Sequence, residues 1–211
     1  AETVAVIEGE GGRARPFEGD MTDATAAADA VAAASDTGPL DVLHFNIGTS
    51  VKGGVTDTSP EDWARVFDIN LGAAYHLSRA ALPAMAEAGQ GALVFVSSLA
   101  GIRSGPYSYV SYEASKAALQ RMAQSIAREY APRGIRANVI LPGPIDTPHV
   151  TAVVAPGADP VALAEARAAM VPMGRQGTPW DVARAALFLA SDDAGFINGS
   201  TISANGAQFF V

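Results

Sequence analysis

The chain has 211 residues, a length that suits one large domain and is too short for two independent enzymatic domains. Its 14 lysine and arginine residues are outnumbered by 22 aspartate and glutamate residues, which gives a formal net charge of -8. A chain this acidic lacks the broad positive surface that binding to nucleic acid requires. Apolar residues make up 49% of the sequence, which is enough for a substantial core and excludes a disordered chain.

Cysteine is absent, which excludes disulfides and thiolate metal sites and is typical of a protein from a reducing cytoplasm. No apolar run approaches the roughly 20 residues of a membrane-spanning helix, and the N-terminus has no signal-peptide pattern. His44, His76 and His149 lack the spacing of metal ligands. The sequence therefore predicts a cytoplasmic protein with no metal and no membrane or nucleic-acid partner.

Short apolar runs rich in β-branched residues alternate along the chain with longer segments of helical period. This alternation predicts parallel strands joined by crossover helices, in a single α/β domain that covers residues 1–211. In chain order we expect the end of a helix at 1–7, a strand at 14–18, a helix at 23–34, a strand at 40–45 and a long helix at 60–88. The order continues with a strand at 92–96, a helix at 109–130, a strand at 135–141, a substrate loop at 148–172 with a short helix at 160–170, a helix at 179–191 and a strand at 200–204.

Each predicted strand before the last is followed by a polar or glycine-rich break. The breaks are Gly19-Asp20, Asn46-Ile47-Gly48, Ser97-Ser98 and Pro142-Gly143. In an open parallel sheet such breaks lie together at the carboxyl edge of the strands, where ligands bind. The chemistry of the protein is therefore expected at these positions.

A phenol and an ammonium group, on Tyr112 and Lys116, lie four residues apart in a predicted helix. This spacing places both side chains on one face of the helix. A neighbouring cation favours the phenolate and lowers the pKa of a tyrosine from about 10, as a general acid or base requires. Taken alone, the same pair is also typical of a solvated helix face.

Two polar residues upstream change the interpretation of this pair. Ser98 ends a predicted strand, where its hydroxyl can donate to a carbonyl oxygen, and Asn70 lies within a predicted helix, where asparagine is unfavourable without a local role. In this order and at this spacing, Asn70, Ser98, Tyr112 and Lys116 resemble the catalytic tetrad of the short-chain dehydrogenase/reductase family.

Other segments are similar to further motifs of that family. They are Asn46-Ile47-Gly48, similar to its Asn-Asn-Ala-Gly turn; residues 19–23, similar to its acidic adenine-side turn; residues 138–147, similar to its proline-glycine nicotinamide loop; and residues 179–191 with 199–206, similar to its closing helix and strand. The resemblance covers nearly the whole chain. It implies a Rossmann-type doubly wound parallel sheet in three αβα layers.

The resemblance also implies roles for the four residues in an oxidoreductase that interconverts a carbonyl and a secondary alcohol by hydride transfer. Tyr112 would donate or accept the proton at the substrate oxygen. Lys116 would lower the pKa of the phenol and bond the nicotinamide ribose. Ser98 would orient the carbonyl or alcohol, and Asn70 would hold a water that links Lys116 to solvent.

The implied cofactor is NAD or NADP. The choice between them stays open, because in the family the selecting residue follows the second strand, and that strand has no counterpart in this sequence. The resemblance places Asp20 and Met21 near the adenine and Asn46 and Gly48 near the adenosine. It places Tyr112 and Lys116 at the nicotinamide end, with four residues around the carboxamide: Pro142, Gly143, Ile145 and Thr147.

The sequence departs from the family where Phe45 and Ile47 replace the usual asparagine and alanine of the turn, and most of all at its start. The family's first two strands and the glycine-rich turn between them have no counterpart. The glycine cluster at 9–12 follows a helix and precedes a predicted strand, which is the order of a helix terminator rather than of a dinucleotide loop. Two explanations are open: the first βαβ unit precedes Ala1 in the natural protein, which we favour, or the protein is truncated and fills the gap by swapping or refolding.

Several features near the predicted site carry two interpretations. Tyr107 and Tyr109 suit either a substrate pocket or packing at the start of a helix, and His149 is a candidate substrate contact. The apolar segments 150–154 and 170–173 suit either a lid over a hydrophobic substrate or ordinary core and interface. The sequence around Ser98 is not the Gly-x-Ser-x-Gly elbow of a hydrolase, and no phosphate-binding loop occurs.

The function predicted is thus an NAD(P)-dependent oxidoreductase acting on a small carbonyl or alcohol. The alternative is a catalytically silent Rossmann-fold remnant that serves as a binding or oligomer-forming subunit. The resemblance implies a homodimer or homotetramer formed through the helices at 62–88 and 112–131. The apolar C-terminus at 209–211 suits a second interface.

Overall fold

The computed structural model describes residues 2–105, 107–148, 150 and 157–209 of the chain. At its centre lies a sheet of four parallel strands in the order β1-β2-β3-β4. The strands are β1 (Val42–Phe45), β2 (Gly91–Val96), β3 (Ile135–Pro142) and β4 (Thr201–Ala204). Leu93 of β2 pairs with Leu43 of β1 and with Ala137 of β3, so β2 has neighbours on both sides.

The helices are α1 (Glu2–Gly9), α2 (Ala24–Ser35), α3 (Pro60–Phe67), α4 (Ala73–Ala88), α5 (Val110–Tyr130), α6 (Pro160–Ala169) and α7 (Pro179–Ala190). Most begin where local chemistry predicts. Ser59 caps α3 by accepting from the Asp62 amide, and Thr178 forms a reciprocal capping box with Asp181 at the start of α7.

Alternating side chains of the central strands build two separate cores. Leu93 and Phe95 of β2 pack on one face with α2, α4 and α5, whereas Val94 packs on the other face against α7. This division follows from the two-residue period of a strand. The predicted Rossmann-type parallel sheet with helices on both faces is confirmed.

The predicted strand at 14–18 is wrong. Residues 12–20 have no regular secondary structure, and all of them except Ala14 are exposed. A strand forms only where a neighbouring ladder pairs its backbone groups, and none of the described residues provides one here.

The predicted helix at 60–88 is interrupted. Residues Asp68–Gly72 form a π-helical turn that joins α3 to α4, and Asn70 lies within it. Such turns often mark functional positions because they shift the side chains that follow. Within the described part of the chain, no helix has the length and apolar character needed to span a membrane.

Candidate active site

Two adjoining cavities of about 660 and 640 Å³ open at the carboxyl edge of β2 and β3. The first is the larger and is bounded by the start of α5 and by α6, while the second lies against β1, β2 and the start of α7. The wall that they share is formed by Ser98, Tyr112, Pro142, Gly143, Val150 and Arg167. A molecule in one cavity would therefore meet a molecule in the other at Ser98 and Tyr112.

Ser98 lies two residues beyond the end of β2 and begins a short 3₁₀ turn (Leu99–Gly101). Its Oγ accepts a hydrogen bond of 3.1 Å from the Ala100 amide, and its side chain lies near enough to the phenol of Tyr112 to lower the pKa of that group. The first turn of α5 carries Tyr112. Strand end and helix start thus bring Ser98 and Tyr112 into contact, as the sequence predicts.

Lys116 lies one helical turn after Tyr112 and is almost fully buried, with 4% of its surface exposed. Its ammonium donates to the Val96 carbonyl at 3.0 Å and lies 5.9 Å from the centre of the Tyr112 ring. Burial lowers the pKa of Lys116 to about 8. With this pKa, Lys116 can gain or lose its proton at a pH only slightly above neutral.

The expected lowering of the Tyr112 pKa is wrong for this structure. Removal of the phenol from water raises its pKa, and the nearby side chain of Ser98 offsets only part of that rise. Desolvation wins because it penalises the phenolate directly. Tyr112 is therefore held in the protonated form, which is the form that can donate a proton.

Asn70 is fully buried and ties three segments together. Its Oδ1 accepts from the Thr49 amide at 2.7 Å, and its Nδ2 donates to the Thr49 carbonyl and to the Ser115 hydroxyl, both at 2.9 Å. The Ser115 hydroxyl donates in turn to the carbonyl of Tyr112 at 2.9 Å. Asn70 thus joins the loop after β1 to the helix that carries Tyr112.

A second set of hydrogen bonds fixes α5 against the end of β2. The Ser97 hydroxyl donates to the Lys116 carbonyl at 2.8 Å, and Gln120 donates to the Ser97 hydroxyl at 3.2 Å. Gly101 lets the chain approach closely, because a Cβ at this position would lie 2.9 Å from the Ala117 amide nitrogen. The sequence did not identify Thr49, Ser97, Ser115 or Gln120 as residues that support the site. Only Ser97 had a signal, as part of the polar pair Ser97-Ser98 that follows β2.

Eight of the ten residues predicted to bind the cofactor line the second cavity. They are Asn46, Gly48, Tyr112, Lys116, Pro142, Gly143, Ile145 and Thr147. A Cβ at Gly48 would lie 3.1 Å from the ammonium of Lys116, so the bare backbone lets this turn pack directly against the ammonium. An apolar strand edge with a cation in the cavity wall fits a flat nicotinamide with its polar ribose.

Asp20 and Met21 lie elsewhere. Asp20 is exposed, and its Oδ1 accepts from the amide and the hydroxyl of Thr22, which lowers the pKa of the carboxyl group. Met21 packs at the margin of the larger core. Neither residue lines either cavity.

The first cavity is lined by aromatic and basic side chains. Tyr107 and Tyr109 both line it, which is the position expected of them in a substrate pocket. Arg103 and Arg167, which the sequence did not single out, line it as well, together with Met170. The candidate contact His149, most of the candidate lid at 150–154, and Phe210 and Val211 lie outside the described residues.

The family model for enoyl-(acyl carrier protein) reductase matches residues 1–206 of the chain. Acetoacetyl-CoA reductase of Rhizobium meliloti is 38% identical over 196 residues, which are 92% of this chain and 79% of that protein. Cyclopentanol dehydrogenase of Comamonas testosteroni is 37% identical over 210 residues, 97% of this chain and 80% of that protein.

Solved structures agree with these sequence matches. A putative short-chain dehydrogenase/reductase from Burkholderia xenovorans superimposes with a TM-score of 0.93 at 35% identity, over 98% of this chain and 80% of that one. A putative NAD(P)-dependent gluconate 5-dehydrogenase from Beutenbergia cavernae, solved with NADP bound, superimposes with a TM-score of 0.87 at 32% identity, over 98% of this chain and 81% of that one.

Proposed function

This chain belongs to the short-chain dehydrogenase/reductase family and is an NAD(P)-dependent oxidoreductase, and from that premise we propose that it interconverts a carbonyl and a secondary alcohol with Tyr112 as the general acid and base. The observation that carries the proposal is that Ser98 and Tyr112 lie side by side in the wall that both cavities share. A substrate carbonyl in the first cavity would accept hydrogen bonds from both hydroxyls there.

The bound nicotinamide supplies the hydride in reduction and accepts it in oxidation. The chain would hold this group in the second cavity, with Lys116 directed to the ribose and the loop from Pro142 to Thr147 beside the carboxamide. Asn46 and Gly48 would lie on the adenosine side. We carry over Asp20 and Met21 as adenine contacts from the resemblance alone.

Tyr112 is suited to donate a proton to the carbonyl oxygen, because burial keeps its phenol protonated. In the reverse direction it must accept a proton as phenolate, and a positive charge on Lys116 stabilises that form. Asn70 and Ser115 position the Tyr112 helix relative to the loop after β1. They would thereby keep the phenol, the serine and the ammonium in one fixed arrangement.

The proposal is tested by mixing the protein with NADH or NADPH and following cofactor fluorescence, then adding cyclopentanone or acetoacetyl-CoA and following absorbance. Binding of one cofactor and its oxidation by a carbonyl would support the proposal. Cofactor binding without turnover of any carbonyl would favour the silent-subunit alternative, against which the intact set of Ser98, Tyr112 and Lys116 argues.

We also propose a homodimer or homotetramer. Trp180 and Leu187 of α7 are 67% and 72% exposed, and Phe196 nearby is fully exposed, which supports a second interface beside the one expected on α4 and α5. Sedimentation should give more than the monomer mass of 21.6 kDa. Leu187→Glu should lower the measured mass. The proposed assembly is contradicted if the wild-type protein and the variant both sediment as monomers.

A further inference from the structure

The first cavity concentrates positive charge in a protein whose net charge is negative. Arg103 and Arg167 line it, and Lys52 lies at its rim with its ammonium 4.6 Å from the ring centre of the cavity residue Tyr107. The chain as a whole carries a formal charge of -8. Two arginines in the lining of one cavity, with a lysine beside one of its tyrosines, are therefore a local feature and not a consequence of composition.

Arg167 is anchored but keeps donors free. Its Nε donates to the side chain of Gln176 at 2.6 Å and its Nη2 donates to the Ile145 carbonyl at 3.2 Å. Among the residues that the structure describes, none accepts a hydrogen bond from Nη1. A half-buried guanidinium held in this way presents fixed N–H groups to a ligand without having to be ordered first.

Arg103 adds a second guanidinium to the lining of the same cavity. Its Nη1 donates to the Gln208 carbonyl at 3.2 Å, and its guanidinium lies 5.6 Å from the ring centre of Phe209. Both arginines are thus held in place by neutral partners. Their positive charges are not neutralised by these contacts.

Two carboxylates also face this region. Glu113 lines the cavity and accepts a hydrogen bond of 2.9 Å from the Ser104 hydroxyl, which leaves its negative charge in place beside the two arginines. Asp146 is exposed and acts on Arg167 at longer range. Within the described residues Arg167 forms no ion pair shorter than 4.0 Å, so the charge of its guanidinium remains available.

We infer that the substrate of this enzyme carries a carboxylate, which Arg167 binds with support from Arg103 while the carbonyl lies at Ser98 and Tyr112. The inference rests on the proposed function, because it takes the shared wall as the place of reaction. Tyr107, Tyr109 and Met170 would cover the carbon chain between the two groups. The substrate class is therefore an oxo acid, or the corresponding hydroxy acid, with an apolar chain.

The test compares straight-chain oxo acids, from acetoacetate upward in length, with their own methyl esters. We expect kcat/KM to be higher for at least one acid than for its ester. Arg167→Met should lower kcat/KM for that acid by roughly 10- to 100-fold, the cost of a lost charge-assisted hydrogen bond, with little change for the ester. Arg167→Lys should keep part of the preference, because it keeps the charge but loses the planar fork.

The exposed residue Arg133, which lies at the turn before β3, supplies a matched control. Arg133→Met removes the same charge away from both cavities and should leave the ratio of acid to ester unchanged. The inference is overturned if the wild-type protein prefers the esters, or if Arg167→Met lowers activity toward acid and ester equally, which would indicate a structural role through Gln176 and Ile145.

A binding measurement separates this inference from the proposed function. Calorimetric titration of the acid and its ester, with and without oxidised cofactor, requires no turnover. Binding of the acid that is lost in Arg167→Met supports the carboxylate site even if no carbonyl is reduced, an outcome that would defeat only the proposed reaction. Turnover of neutral ketones without any effect of Arg167 would leave the reaction standing and reject the carboxylate site.

Discussion

The α5 side and the α6 side of the candidate site are built differently. On the α5 side, Asn70, Ser115, Lys116 and Gln120 are buried, and hydrogen bonds of 2.9 to 3.3 Å hold all four. On the α6 side, Arg167 is half-buried and Met170 is 42% exposed. A buried, hydrogen-bonded network fixes reacting groups within narrow limits, whereas an exposed side chain such as Met170 can change its position with the ligand. The difference agrees with the proposed division of roles, in which α5 carries the chemistry and α6 the recognition of substrate.

The largest effect is expected from Tyr112→Phe. Loss of the general acid should lower kcat by about 10² to 10⁴-fold and leave cofactor affinity nearly unchanged. Tyr109→Phe is the matched control, because Tyr109 lines the first cavity but lies outside the wall that the two cavities share. It should alter KM more than kcat. Both values of kcat are measured at saturating cofactor. Equal losses of kcat in Tyr112→Phe and Tyr109→Phe would contradict the proposal that chemistry and substrate recognition are carried by different residues.

The buried Lys116 predicts how stability changes with pH. Its pKa is about 8 in the folded protein and 10.5 in the unfolded chain, so between these values the unfolded chain binds the proton that the folded protein has released. Stability should therefore rise with pH across that window, by up to about 3 kcal/mol, and this contribution should be constant below pH 8. Urea denaturation of the protein without cofactor, compared with Lys116→Met, isolates the effect. A difference between the two proteins that does not vary with pH would mean that Lys116 is solvated.

Asn70→Ala should lower the free energy of unfolding by about 2 to 3 kcal/mol. The substitution leaves the Thr49 amide and the Ser115 hydroxyl without their partner inside the protein. On the other side, Gln176→Ala removes a single partly exposed hydrogen bond and should cost about 1 kcal/mol or less. Urea denaturation of both variants provides the comparison. A larger loss from Gln176→Ala would show that the α6 side is the more rigid one.

The smallest effect is expected from Gly48→Ala. The added methyl group would lie 3.1 Å from the Lys116 ammonium, which must then shift by a few tenths of an ångström. We expect cofactor affinity to fall roughly fivefold, equivalent to about 1 kcal/mol, as measured by fluorescence titration. Gly9→Ala, which meets no neighbouring atom, is the control. Unchanged affinity in Gly48→Ala would place the cofactor away from this backbone.

Local patterns predicted much of this molecule correctly. The cap at Ser59 and the strands from β1 to β4 follow from short-range spacing. The strand predicted at 14–18 failed because its pattern was suitable but no neighbouring ladder was present. The prediction of a lowered pKa for Tyr112 was wrong, because the neighbouring ammonium of Lys116 was visible in the sequence whereas the burial of the phenol was not.

By itself the sequence determined which residue types recur at helical and strand periods, and so the fold class, while the four candidate site residues came from the resemblance to a family. Only the tertiary structure decided that Ser115 and Thr49 meet at Asn70, and that Arg103 and Arg167 face one cavity. The physical reason is that period and capping act over a few residues. Burial and long-range contacts, which set the charge state of Lys116 and the lining of the cavity, exist only once distant segments have packed together.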